Sequence, residues 1–186
     1  MSCYLKATPR RHFAEGGWGG NCFPRIARES WHDVPMAWWK DVAAAEPGFA
    51  AHVRRCFDIR KHSTLATLRR DGSPRISGTE VEFDEDGGIY LGMMPGSLKA
   101  LDLRRDPRLA LHSPTDDTPE TDQSSWLGEA KIAGNAVEVS NPDGLDQSHR
   151  FRIDVTEVVL TTVGQPADHL VIQSWHPGRG LERRKR

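Results

Sequence analysis

The chain has 186 residues, a formal net charge of −1 and 37% hydrophobic residues, which suits one domain with a single packed core. So balanced a charge supplies no global field that would recruit nucleic acid, and no apolar run approaches the roughly 18 to 20 residues of a membrane-spanning helix. Cys3, Cys22 and Cys56 form no CxxC pair and no ligand spacing with histidine; the set argues against a disulfide framework, indicates no metal site and fits a reducing cytoplasm.

Residues 1–35 have neither helical nor strand period, and the run Glu15-Gly16-Gly17-Trp18-Gly19-Gly20 cannot bury enough apolar surface to offset its ordering entropy. A disordered extension is expected there, with one domain over residues 36–186; a start of translation at Met36 would fit the same pattern. The basic residues near the N-terminus are followed by no apolar secretory segment.

From Ala37 to Arg60 the residues Trp38, Val42, Phe49, Val53 and Phe57 fall on an amphipathic spacing interrupted by Pro47, which predicts a helix packed on one end of a barrel. The period then changes. Ser63 to Leu68 reads as a strand, Asp71-Gly72-Ser73-Pro74 as a tight turn, and Ile76 to Phe83 as an alternating strand. Asp84 to Gly88 is a second turn and Ile89 to Met93 a third strand. Ser97 to Arg105 predicts a short helix, with Ser97 at its N-cap and Arg104 and Arg105 at the end where cations are favoured; Asp106-Pro107 stops it. Further strands are expected at Arg108–Ser113, Glu129–Val139, Phe151–Val163 and His169–Trp175, with a polar loop at Pro114–Ser125 and a turn at Asn141–Gly144. The expectation is a mainly β fold with flanking helices, an antiparallel meander or barrel of six to seven strands. The basic tail containing Arg179, Arg183, Arg184, Lys185 and Arg186 reads equally well as solvated surface or as an anion site.

The segment Gly92-Met93-Met94-Pro95-Gly96-Ser97-Leu98-Lys99-Ala100 carries the chemistry. A strand ends, the chain turns, and a helix begins, so free amides and the positive end of the helix dipole converge on one spot. Lys99 in the first helical turn adds a full charge, and the combination suits a phosphate. Taken alone, an ordinary capped helix with a solvated lysine explains it as well. No GxGxxG follows a strand, no P-loop lysine is present, and the histidines are scattered, His112 and His149 reading as polar strand residues.

In order and spacing these residues resemble the pyridoxamine 5'-phosphate oxidase-like, FMN-binding split-barrel superfamily. Leu65-Ala66-Thr67-Leu68 with Asp71-Gly72-Ser73-Pro74 is similar to its first hairpin, and Tyr90 through Ala100 to its third strand and phosphate turn. Asp106-Pro107-Arg108 is similar to the helix exit, Lys131 to Ala136 to the next strand, and Trp175-His176-Pro177-Gly178-Arg179-Gly180 to a segment of bacterial members. The resemblance covers about Ala37 to Arg186 and implies a split β-barrel working as a homodimer, with the cofactor in a groove at the dimer interface. It places Ser97, Leu98 and Lys99 at the cofactor phosphate, Ser77, Gly78 and Thr79 along the groove, and Gly92 and Met93 against the ring by backbone groups. Trp175 and Arg179 would come from the other subunit, although plain packing explains Trp175 equally well.

Three departures argue against vitamin B6 phosphate oxidation. Glu80-Val81-Glu82 stands where the oxidases carry a basic residue for the substrate phosphate, residues 141–149 are too few for their helical insertion, and their C-terminal Arg-x-His motif is missing. The run Ser97 to Arg108 also resembles actinobacterial members that use the deazaflavin F420, whose acidic tail Arg104, Arg105 and Arg108 could meet. What the resemblance implies is a cytoplasmic oxidoreductase that uses FMN, or alternatively F420, to transfer a hydride to or from a small organic substrate. No acid or base is evident in the sequence. Two other readings stay open: a non-catalytic protein that sequesters or senses a flavin or haem, and a barrel that serves only as an interaction module.

Overall fold

A computed structural model of the chain describes residues 35–141 and 148–186. Apart from Pro35, the expected N-terminal extension lies outside them, as do Pro142, Asp143 and Gly144 of the expected turn.

The helical stretch is two helices, not one: α1 (Trp39–Ala45) and α2 (Pro47–Asp58). Pro47 makes the division. Its ring would clash with the carbonyl four residues back and it has no amide to continue α1, whereas at the first position of α2 that amide would be unpaired anyway. The inward faces carry Trp39, Val42, Phe49, Val53 and Phe57, all buried. Trp39 takes the inward place expected for Trp38, which is the N-cap residue just before α1 and stays half-buried under the Arg152 guanidinium at 4.5 Å. Trp39 and Phe57 close on Phe83 with ring centroids 5.0 and 5.7 Å away, which seats both helices on the barrel as the apolar spacing implied.

The strands are β1 (His62–Leu68), β2 (Pro74–Glu80), β3 (Glu82–Phe83), β4 (Ile89–Met93), β5 (Arg108–His112), β6 (Glu129–Val139), β7 (His149–Val163), β8 (Leu170–His176) and β9 (Gly180–Lys185). Two differences raise the number above the six or seven expected. The run Ile76 to Phe83 breaks at Val81 into β2 and β3, which pair with different neighbours. The basic tail, expected as solvated surface or an anion site and not as a strand, forms β9 against β8, with Ile172 opposite Arg184 and Trp175 opposite Leu181. Its strand character was masked because only Leu181 among its residues is apolar, and an edge strand exposes its polar face to water.

All pairing is antiparallel, in the order β2-β1-β5-β6-β7-β4-β3, with β8 added to β7 and β9 to β8. Because only Val81 separates β2 from β3, the two ends of this path meet and the sheet closes on itself. The fifteen-residue β7 creates the split. One edge pairs with β6 from Arg150 to Thr161, while the other pairs with β4 at His149–Arg152 and with β8 from Val158 onward. The barrel fills with alternating inward residues, among them Leu65, Leu91, Leu111, Ile132, Phe151, Ile153 and Leu160. The register of β6 on β7 shifts between Ala133 and Gly134. A Cβ on Gly134 would lie 2.4 Å from the Asp154 carbonyl oxygen, so the bulge admits only glycine there without movement.

Helix α3 (Leu98–Arg105) joins β4 to β5. It lies against β1, and its buried Asp102 accepts hydrogen bonds from Thr67 on β1 at 3.0 Å, Arg75 on β2 at 2.5 Å and Arg105 at 3.0 Å.

Candidate functional site

An open groove of about 1230 Å³ runs between the end of β2 and the turn leading from β4 into α3. Its walls include Gly78, Thr79, Gly92, Met93, Ser97 and Lys99, six of the ten residues singled out from the sequence. Leu98 belongs to the same turn but faces a neighbouring cleft with Arg69, Arg75 and Leu101, and Ser77 is absent from the groove wall because only the end of β2 from Gly78 onward borders it. Trp175 is buried in β8, and Arg179 is exposed in the turn before β9. Neither lines the groove, which accords with packing for Trp175.

The turn owes its shape to Gly96, whose φ of +72° lies in the left-handed region. The Ser97 amide bonds the Met94 carbonyl, and the first helical bonds run from Ala100 and Leu101 back to the Ser97 carbonyl. Among the described residues no carbonyl accepts from the amides of Leu98 or Lys99. Ser97 stands at the N-cap position but makes no side-chain cap bond, so its hydroxyl, like those amides, is left for another acceptor. The Lys99 ammonium reaches across the groove to the Gly78 carbonyl at 2.6 Å, and partial burial pushes its pKa down. A partly desolvated cation beside two amides and a hydroxyl that lack partners among the described residues is an arrangement suited to an anion of phosphate size.

Space for a flat ring adjoins it. Gly92 is exposed, and nothing lies within 4 Å of where its Cβ would stand. The far wall is paired charge. The Arg150 guanidinium stacks over the Tyr90 ring at 4.2 Å and meets Glu82 and Asp84, each at 3.3 Å. Its Nε is buried and has no partner among the described residues. Tyr90 donates to Asp86 at 2.7 Å, and that bond pushes the phenol pKa up. Glu80 is met by Lys61 at 3.1 Å and His62 at 3.7 Å.

Arg150, Tyr90 and His149 were missed in the sequence. His149 was read as an ordinary strand residue, and no local signal places the start of β7 beside the end of β4. The arginines set aside for an acidic tail are committed elsewhere: Arg104 to Glu138, Arg105 to Asp102 and the Leu68 carbonyl, Arg108 to Asp106. Among the described residues there is no cluster of side chains able to hold a metal, and no helix is long and apolar enough to cross a membrane.

No protein-family model matches the chain, and no curated protein matches it in sequence. Solved structures do. A pyridoxamine 5'-phosphate oxidase-related, FMN-binding protein from Nostoc punctiforme superposes with a TM-score of 0.55 at 12% identity, covering 76% of this chain and 95% of its own. The chain has the split-barrel fold of the pyridoxamine 5'-phosphate oxidase-like proteins. PhzG from Burkholderia lata, solved with tetrahydrophenazine-1-carboxylic acid, also has a TM-score of 0.55, at 11% identity over 83% of this chain and 94% of its own. At such identities the likeness fixes the split barrel, and chemistry has to be argued from the groove.

Proposed function

We propose that this split barrel is a flavin-dependent oxidoreductase. It would bind FMN, or alternatively the deazaflavin F420, and transfer a hydride to or from a small organic substrate. The observation that carries this reading is the turn at Ser97–Lys99, where two unpaired amides, an uncapped hydroxyl and a desolvated ammonium open into one groove. Those donors fit a phosphoryl group, and the bare backbone at Gly92 fits an aromatic ring laid against β4. The cofactor, when bound, supplies the redox chemistry; the protein supplies grip, orientation and a shaped wall.

The groove is open along one side, and large apolar side chains are exposed beside it: Ile76 at 75%, Met94 at 80% and Leu98 at 59%. Apolar exposure at the margin of a half-enclosed groove supports a homodimer that completes it, as the notion of a shared site requires. Glu80 and Glu82 on the wall disfavour a phosphorylated substrate, which supports a chemistry other than vitamin B6 phosphate oxidation.

The test is the absorbance spectrum and mass of whatever small molecule accompanies the purified protein, followed by titration with FMN and with F420. Bound flavin or deazaflavin in a particle of twice the chain mass is the expected result. Protein that binds neither compound overturns the reading. Protein that binds one but passes electrons to no acceptor would be a sequestering protein instead.

A further inference from the structure

We infer that His149 is the proton donor of this site, oriented by Glu138 and anchored through Arg104; the inference rests on the oxidoreductase reading above. His149 opens β7 directly opposite Met93, the last residue of β4, and its imidazole lines the groove beside the phosphate turn. The side chain is 11% exposed. Its Nδ1 lies 3.1 Å from Glu138 Oε1 on β6. A carboxylate only accepts, so that contact places a proton on Nδ1. Nε2 then has no protein partner among the described residues and is not among the buried orphaned atoms, so it meets the water of the groove.

Glu138 is itself fixed. Arg104 grips it with a forked pair of bonds, Nε to Oε2 and Nη2 to Oε1, both at 2.7 Å. Those bonds, with a lesser contribution from His149, hold the Glu138 carboxyl below the usual carboxylate range. Glu138 therefore stays anionic and orients the ring without taking its proton. Arg104 belongs to the last turn of α3, and Lys99 to the first. One helix thus carries the anion-gripping lysine at one end and the arginine that anchors the imidazole at the other.

The remaining groups near the groove are occupied. Lys99 bonds the Gly78 carbonyl, Tyr90 donates to Asp86, Glu80 faces Lys61 and His62, and Arg150 on the same strand faces Glu82 and Asp84. From β4, Met93 presents no titratable group to the ring, and the aromatic neighbour is Phe151, tilted with centroids 6.4 Å apart. An imidazole in such a place is suited to general acid chemistry near neutral pH. In the reductive direction, one atom of the substrate's unsaturated bond would receive the hydride that a bound reduced flavin supplies. The π pair moves to the other atom, which takes the Nε2 proton of His149 in its imidazolium form. The Nε2–H electrons stay on the ring, which is left neutral with its remaining proton on Nδ1 toward Glu138, and a proton from solvent restores the imidazolium.

The experiment joins nitrogen NMR of His149 with kinetics on the FMN-loaded protein reduced beforehand with dithionite, its His149→Gln and Glu138→Gln variants, and cyclohexenone as the acceptor probe. In the parent, Nδ1 carries the proton, and adding FMN shifts the Nε2 resonance. Glu138→Gln weakens the tautomer preference. His149→Gln binds FMN within about twofold of the parent but reduces cyclohexenone about 100-fold more slowly, and its rate loses the alkaline limb that the parent shows. In Glu138→Gln the limb remains, because the imidazole is still present. An Nε2 resonance indifferent to FMN overturns the proposal, and so does a His149→Gln pH profile that matches the parent's. If the parent does not bind FMN or F420, the oxidoreductase reading fails and this one with it. If binding is normal and only the His149 effects are missing, the proton donor alone is refuted.

Discussion

The two ends of α3 are built from similar residues and behave oppositely. At the C-terminal end every charge is answered within the protein. Asp102 accepts from Thr67, Arg75 and Arg105, Arg104 grips Glu138, and Arg108 closes on Asp106. At the N-terminal end, among the described residues, the amides of Leu98 and Lys99 and the Ser97 hydroxyl have no partner, and Lys99 meets the Gly78 carbonyl and no carboxylate. The contrast separates charge that the fold has spent from charge that it has left available. The three arginines and lysines on the eight residues of α3 look alike as letters, and what distinguishes them is whether the fold supplies an anion.

The sharpest way to break the comparison is to remove the anion from the satisfied end. Asp102→Ala strands Arg75 and Arg105 against a buried site, and the expected loss of stability is about 3 to 5 kcal/mol, read from denaturant unfolding. FMN affinity of the fraction that remains folded should change little. At the open end the outcome reverses: Lys99→Ala should leave the unfolding midpoint in place and weaken FMN binding by roughly 1.5 to 3 kcal/mol, the worth of a charged hydrogen bond. Isothermal titration checks the second figure. Equal effects of both variants on stability would dissolve the distinction.

Acid sharpens it further. Burial pushes the Asp102 carboxyl up, but the bonds from Arg75, Arg105 and Thr67 outweigh that and hold its pKa below the usual value. Such a group contributes stability that is complete above its unfolded value, about 4, and lost as pH falls through the lower folded value. The stability gap between the parent and Asp102→Asn should therefore narrow as pH drops below about 4, measured by thermal melts in matched buffers. The smallest effect belongs to charge far from either end of α3. Arg184 on β9 pairs with Glu182 at the surface, and Arg184→Ala should move neither the melting point nor FMN affinity, since exposed pairs contribute little.

Much of the fold was legible because the signals were local. β4 (Ile89–Met93) and β6 (Glu129–Val139) fall where alternation placed them, and α3 stops at Asp106-Pro107 as the proline rule requires. The turn Gly92–Lys99 was visible because a strand end, a glycine, a helix start and a lysine are contiguous in sequence. Where the reading failed, opposing local signals met. Pro47 was taken as an interruption and is the start of a second helix, and the charged run Glu182–Lys185 hid an edge strand.

By itself, then, the sequence determined the antiparallel strand pattern, the turn from β4 into α3 and the place of Lys99 in the first turn of that helix, because periodicity, turn chemistry and helix-end signals act over a few residues. Tertiary structure alone decided which charges are spent and which are free. Glu138 meets Arg104 from 34 residues away, Asp102 meets Thr67 from 35, and His149 faces Met93 across a strand pair. Those meetings depend on how strands register around a closed sheet, and no spacing along the chain encodes them.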